Sequence, residues 1–193
     1  GFPHYGDEYK VMGLAPYGEP RYVEKVARVL PLKPGGMYGW NAEYFDMSGG
    51  AVSYPDHLPT VAPIFSARFD ELLGPARQPG EPLTQHHMDV AASVQRHTEE
   101  VIFHILRHLH ELTGLNRVCI AGGVAQNSVA NGKITRNTPF TEVYIPSAGH
   151  DAGISMGSAQ YHLHQQLGRP RTAPIFSAYT GAQFDDDAIA AIL

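Results

Sequence analysis

An α/β fold with parallel strand pairing is what this sequence predicts, and three observations predict it. Residues 87–113 repeat apolar side chains at three- to four-residue steps, the period of one long helix. Asn116–Ala121 and Thr141–Ile145 then read as two short strands. Each strand runs into a helical segment, 126–136 and 152–166. The order helix, strand, helix, strand, helix calls for crossover connections, and crossovers join parallel strands.

The remaining elements follow in order. Residues 1–20 form a glycine-punctuated loop with a short helical stretch over Glu8–Leu14. Arg21–Leu30 is helical by spacing, with Tyr22, Val23, Val26, Ala27 and Leu30 on one face, and Pro31–Gly36 breaks it. From Met37 to Gly80 the pattern is irregular and rich in Pro and Gly. Within it, Tyr38–Phe45 and Gly50–Tyr54 read as strands of a hairpin, and Ile64–Leu73 as a short helix before Gly74-Pro75. In the long helix Val90, Val94, Val101, Ile105, Leu109 and Leu112 form the apolar stripe. Gly114 is the natural residue past its end. The last helix stops near Gly168, Pro170–Thr180 reads as a linker, and the acidic run from Asp185 opens another helix.

Composition narrows the function classes. The 193 residues are enough for one domain with a real core, and 43% are hydrophobic. The net charge is −5 with 14 Lys plus Arg and no basic run, which leaves no electrostatic footprint for nucleic acid. The one cysteine, Cys119, lies in an apolar strand; a disulfide framework is excluded, a buried thiol is expected, and the reducing cytoplasm fits. No apolar run is long enough to span a membrane, and no signal peptide is visible. Both ends read as cut from something longer, so a fragment or one domain of a larger enzyme is expected.

Three segments carry the chemistry. Arg117–Asn127 runs from a strand into Gly122-Gly123 and a helix start, where ligands bind in α/β sheets. The paired glycines let main chain approach a base, ribose or phosphate. Val124 follows them, and Asn127 and Asn131, one turn apart, address the same ligand edge. Helix starts near Ala125 and Ala152 would turn N–H groups towards an anion. Pro146–Gly157 places Asp151 in a small-residue turn, where its carboxylate suits a divalent cation; His150 adjoins it. The same residues equally fit a tight turn and an Asp helix cap. The spacing is not that of a dinucleotide-binding or P-loop motif. In the opening loop, Glu8 suits a ribose hydroxyl or a metal, Lys10 a phosphate, and Gly13 and Gly18 a close fold over a ligand; a solvated loop is the plain alternative. His104 and His108 share one helix face at i, i+4, but no third ligand stands near in sequence, which favours surface or packing roles.

Gly6-Asp-Glu-Tyr-Lys-Val-Met-Gly-Leu-Ala-Pro-Tyr-Gly18 closely resembles the signature loop of the NodU/CmcH family of O-carbamoyltransferases. Ala121–Asn131 and Pro146–Gly153 are similar to its later motifs, in the same order. Tyr179-Thr-Gly181 resembles the passage into its C-terminal domain. The resemblance implies the second half of an actin/Hsp70-like (ribonuclease H-like) ATPase domain over residues 1–170, a mixed sheet flanked by helices. Residues 171–193 would be a linker and the start of an adenylating domain. It implies transfer of a carbamoyl group from carbamoyl phosphate, through ATP and carbamoyl-adenylate, to a small-molecule hydroxyl such as a nodulation-factor sugar or an antibiotic. It also implies a divalent metal, Fe²⁺ or Mg²⁺.

Position by position, the resemblance makes Asp151 the metal and phosphate aspartate. Gly122, Gly123, Val124, Asn127 and Asn131 fall in the adenosine motif, and Glu8, Lys10 and Gly18 in the covering loop. His150 is the one nearby candidate for a general base. The family's metal-binding histidine pair and first phosphate loop would lie upstream of Gly1, so the upstream half and the C-terminal domain of the same polypeptide are expected partners. Neither nucleic acid nor membrane is expected. Two other classes compete: a non-catalytic actin-like nucleotide-binding module, and the related threonylcarbamoyl or hydrogenase-maturation enzymes. The Glu8–Gly18 loop favours the carbamoyltransferases over both.

Overall fold

The computed structural model describes residues 2, 6–46, 52–57, 59–61, 64–171, 173–179 and 181–192. The chain divides into two compact units, residues 1–117 with 127–142, and residues 118–126 with 143–193. Helices dominate, with a small parallel strand pair, so the molecule is mixed α/β.

The first unit is organised on a long helix, Gln85–Thr113. Ahead of it lie α1 (Glu8–Leu14), α2 (Val23–Val29) and α3 (Ala67–Leu73), so the long helix is α4. Thr84 caps its start: the Thr84 side chain accepts from the His87 N–H, and His87 Nδ1 accepts from the Thr84 N–H at 3.0 Å. Gly114 ends it in the left-handed conformation at φ 63. Twenty-nine residues rise about 44 Å at ~1.5 Å each, long enough to serve as a spine. α1, the 3₁₀ turn Ala15–Tyr17 and α2 pack along it.

The predicted apolar stripe meets the core only in part. Val101 is buried, but Ile105 and Leu109 are partly open and Leu112 is 70% exposed. The buried positions are instead a mixture that includes Asp89, Ala91, Ala92, Ser93, Gln95, His97, Glu99 and Phe103. A helix packed on several sides buries polar residues too, provided each finds a partner. Asp89 Oδ1 accepts from the Glu19 N–H at 2.9 Å and from Gln85 Nε2 at 2.8 Å. Ser93 Oγ accepts from the Tyr22 N–H at 2.9 Å, and His97 Nε2 bonds the Leu30 carbonyl at 2.7 Å. These bonds fasten the opening loop and the end of α2 to the spine.

The expected hairpin is different in form. Ala42–Tyr44 is a 3₁₀ turn capped by Asn41, and Tyr38 and Phe45 make only isolated bridges, to Leu32 and Phe65. Edge-on contacts of Phe45 with Trp40 and Phe69 hold this region without a ladder. The strands that form are β1 (Val52–Ser53) and β2 (Thr60–Val61), antiparallel with Val52 opposite Val61. The segment that would join the two expected strands, residues 46–50, lies outside the described residues except for Asp46.

Strand β3 (Arg117–Cys119) pairs with β4 (Glu142–Tyr144). The Thr141 N–H meets the Asn116 carbonyl at 2.9 Å, and the Ile120 N–H meets the Tyr144 carbonyl at 3.1 Å. Both strands therefore advance together, as the order of elements predicts. The expectation of a buried thiol is overturned: successive strand residues face opposite ways, Val118 takes the buried side, and Cys119 is exposed.

The helix expected over 126–136 is broken into the turn Val124–Gln126, α5 (Ser128–Asn131) and α6 (Ile134–Asn137). Asn127 makes the first break, leaving helical geometry at ψ 89 to cap α5 with its Oδ1 accepting the Ala130 N–H at 3.0 Å, and the second falls at Gly132-Lys133, where Lys133 has φ −106 and ψ −8. The helix expected over 152–166 is α7 (Ile154–Tyr161), entered by a 3₁₀ turn at Asp151–Gly153 and left by a wider turn at His162–Gln166. A last short helix, α8 (Asp186–Ala190), is capped by Asp185. Among the described residues no helix is long and apolar enough to cross a membrane.

Candidate functional site

The second unit holds a cavity of about 420 Å³ beyond the carboxyl ends of β3 and β4. Gly122 forms one part of its wall, with φ at 111, a conformation that side-chain-bearing residues rarely adopt. Its N–H donates to the Gly149 carbonyl at 2.6 Å, which ties the loop after β3 to the loop after β4. Ala121, Ala148 and Gly149 add no side chain larger than a methyl, so main chain itself lies at the wall. Tyr144 Oη donates to the Ile175 carbonyl at 2.8 Å, which pins the 170s segment beside the cavity.

His150 and Asp151 line the same cavity. His150 is the cap of the turn at Asp151–Gly153: its Nδ1 accepts from the Ala152 N–H at 3.4 Å, a long bond. Accepting at Nδ1 places the proton of the neutral ring on Nε2. Asp151 is exposed, and its carboxylate has no ion-pair partner among the described residues. Gly123 and Val124 follow Gly122 in the turn; a methyl at Gly123 would meet nothing within 4 Å, and Val124 is exposed. The expected N–H groups at the two turns are spent locally, the Ala125 N–H on the Gly122 carbonyl and the Ala152 N–H on His150. Main-chain approach at Gly122, rather than a free helix start, is what this wall presents to a ligand.

The other predicted residues belong to the first unit. Glu8 opens α1 and is exposed. Lys10 pairs with Asp7 at 2.6 Å, and that hydrogen bond raises the ammonium above its ordinary pKa. Gly18 stands against α4: a Cβ there would fall 2.1 Å from the Met88 carbonyl oxygen. Asn127 exchanges hydrogen bonds with Gln95, one α4 residue about two turns beyond the Gly18 contact. Asn131 closes α5, its N–H bonded to the Asn127 carbonyl at 2.9 Å. Gly122, His150 and Asp151 thus share one cavity, while Glu8, Lys10, Gly18, Asn127 and Asn131 are arrayed around α1, α4 and α5.

Hydropathy did not mark Gln95, Glu99 or Lys133. Glu99 is 2% exposed and accepts from Lys133 Nζ at 2.6 Å and Gln95 Nε2 at 2.9 Å. The i, i+4 spacing of Gln95 and Glu99 was the available signal. The histidine pair takes structural partners, His104 with the Lys33 carbonyl at 2.8 Å and His108 with Glu111 at 3.2 Å. Among the described residues no three His, Cys, Asp or Glu side chains converge on a metal position. Asp151, the residue expected to meet a metal, brings one carboxylate and falls short of a coordination sphere by itself.

Residues 1–160 match the family described as Carbamoyltransferase N-terminus. The chain belongs to this carbamoyltransferase family, the class that its ordered motifs resemble. It is 41% identical over 165 residues to nodulation protein NolO of Bradyrhizobium diazoefficiens, covering 85% of this chain and 26% of that protein. It is 38% identical over 173 residues to nodulation protein NolNO of Sinorhizobium fredii, covering 88% of this chain and 22% of that protein. An uncharacterised protein of Synechocystis is 38% identical over 195 residues, 98% of this chain and 30% of its own length. The chain thus spans under a third of each of these relatives.

Proposed function

We propose that this chain is part of an ATP-dependent O-carbamoyltransferase and holds one side of its transfer site. The fold would be the second half of an actin-like ATPase domain; the parallel strand pair with its site beyond the carboxyl ends supports this. The observation that carries the reading is the cavity in which Gly122 main chain, His150 and Asp151 meet. Family membership supplies the chemistry.

The acceptor hydroxyl oxygen bonds to the carbamoyl carbon of carbamoyl-adenylate, the bond from that carbon to the phosphate oxygen breaks, and AMP leaves. The hydroxyl proton passes to a base. The small-residue wall at Ala121–Gly122 lets the adenylate lie against main chain and holds the carbonyl in place. His150 would be the base that takes the proton; its Nδ1, the nitrogen without a proton, must first release its long bond to the Ala152 N–H. Asp151 is the ligand this chain would give to a divalent cation, which when bound offsets charge on the leaving phosphate. The acceptor is a small-molecule hydroxyl, with a nodulation-factor sugar favoured by the names of the two nodulation relatives.

Calorimetric titration of the full-length polypeptide with ADP, with Mg²⁺ or Fe²⁺ present, tests this. Binding should need the cation and weaken about tenfold or more in Asp151→Asn, a loss of ~1.4 kcal/mol or more. Unchanged affinity in the variant removes Asp151 from the site. A folded wild type that ignores ADP overturns the nucleotide reading.

A further inference from the structure

We infer that Gln95 and Glu99 are positioning residues that fix the direction of the Asn127 carboxamide, resting on the reading of Asn127 as part of the adenosine motif. Asn127 follows Gln126 at the end of the glycine turn and caps α5. Capping needs only its Oδ1, which the Ala130 N–H already meets at 3.0 Å. Yet Asn127 also pairs reciprocally with Gln95, accepting from Gln95 Nε2 at 3.1 Å and donating from Nδ2 to Gln95 Oε1 at 2.9 Å.

The direction of this pair is determined at both ends. An amide can be turned over with little change of shape, so its orientation rests on its partners. Lys133 only donates and Glu99 only accepts, so the Gln95 face towards Glu99 must be Nε2, which donates at 2.9 Å. That places Gln95 Nε2 against Asn127 Oδ1. From the other end, a main-chain N–H only donates, so the atom of Asn127 facing Ala130 is Oδ1 as well. The two constraints agree, and neither amide can reverse without setting like against like. Glu99 is 2% exposed, a costly place for a carboxylate unless paired, and Lys133, itself 44% exposed, supplies the charge. One Nδ2 proton of Asn127 is left without a partner among the described residues, held in a set direction as a donor for the nucleotide.

Two isosteric variants of the full-length polypeptide separate positioning from packing. Gln95→Glu turns a carboxylate towards both Glu99 and Asn127 Oδ1, and should lower both thermal stability and ADP affinity. Adding Glu99→Gln returns that pair to one carboxylate and one donor, because the carboxamide introduced at position 99 can donate to the carboxylate introduced at position 95. The double variant should regain part of the lost stability, because the atom at position 99 that turns to donate to position 95 no longer accepts from Lys133, while ADP affinity stays about tenfold down because Asn127 Oδ1 still faces a carboxylate. Affinity that returns together with stability overturns the positioning role. The Asn127 side-chain amide signal, read by NMR without nucleotide, gives an independent answer. Slow exchange in the wild type, lost in Gln95→Met, which removes both bonds of the amide pair, is expected; slow exchange kept in Gln95→Met overturns the inference. If the wild type fails to bind ADP, the adenosine reading falls, and the positioning claim is decided by the amide signal alone.

Discussion

A methyl group added at Gly18 would collide with main chain, not with a movable side chain. Its Cβ would sit 2.1 Å from the Met88 carbonyl oxygen and 2.6 Å from the Asp89 nitrogen. Gly18→Ala must therefore push the opening loop off α4, and overpacking of this kind costs roughly 1–3 kcal/mol. The denaturant midpoint of the variant should fall accordingly, with the slope unchanged. A midpoint equal to wild type would mean that the loop does not lie this close. The sequence marked Gly18 as a residue that brings a loop near something. What it comes near lies about 70 residues on in the chain, and spacing along a chain does not report such contacts. Gly122 was more legible, because a glycine after a strand in an α/β order has a place in the fold before any distance is known.

The attachment of that loop to the spine is a property of elements, and it depends on pH through Asp89. The Glu19 N–H first, then the Gln85 amide and the charge of Arg21, hold the Asp89 carboxyl below its ordinary range, against the effect of its burial. A carboxyl lowered on folding adds stability that is complete above its unfolded pKa of about 3.9 and is lost as pH falls through the folded value. Asp89→Asn should unfold at a lower temperature than wild type at neutral pH. The difference should shrink below about pH 4, as the wild-type carboxyl takes up its proton. A difference that holds constant from neutral to acid pH would assign the effect to shape and not to charge. Helix α4 shows why this anchor was hard to foresee. Its length was plain in the period of its apolar residues and its end in Gly114, while its start was expected at 87 and lies at Gln85, behind the Thr84 cap. Its buried face was not, because a helix packed on several sides hides Asp89, Gln95 and Glu99 while leaving Leu112 in the open. The helix expected at 126–136 failed first for a related reason: a cap at Asn127 outweighed a continuous helical pattern at its start.

At the scale of the whole molecule, the second unit has a helix that buries none of its residues among the described ones. α7 spans eight residues and buries none of them; Ile154 is 67% exposed, and Tyr161, Leu167 and Phe176 are also open. A helix shorter than about 12 residues is marginal in water without tertiary contacts to hold it. Apolar exposure on this scale marks a surface that another part of a protein covers. The relatives are more than three times as long as the stretch they share with this chain, and the proposed upstream half of the domain is the cover this argument calls for. Hydrogen exchange measured on this chain and on the full-length polypeptide tests it. In the chain alone, amides over 154–166 should exchange orders of magnitude faster than those in the middle of α4, since local opening there breaks few buried contacts. In the full-length polypeptide the same amides should become protected while those of α4 change little. Equal, fast exchange of 154–166 in both forms would show that nothing covers α7, and the wall that carries His150 and Asp151 would then have no second half to face.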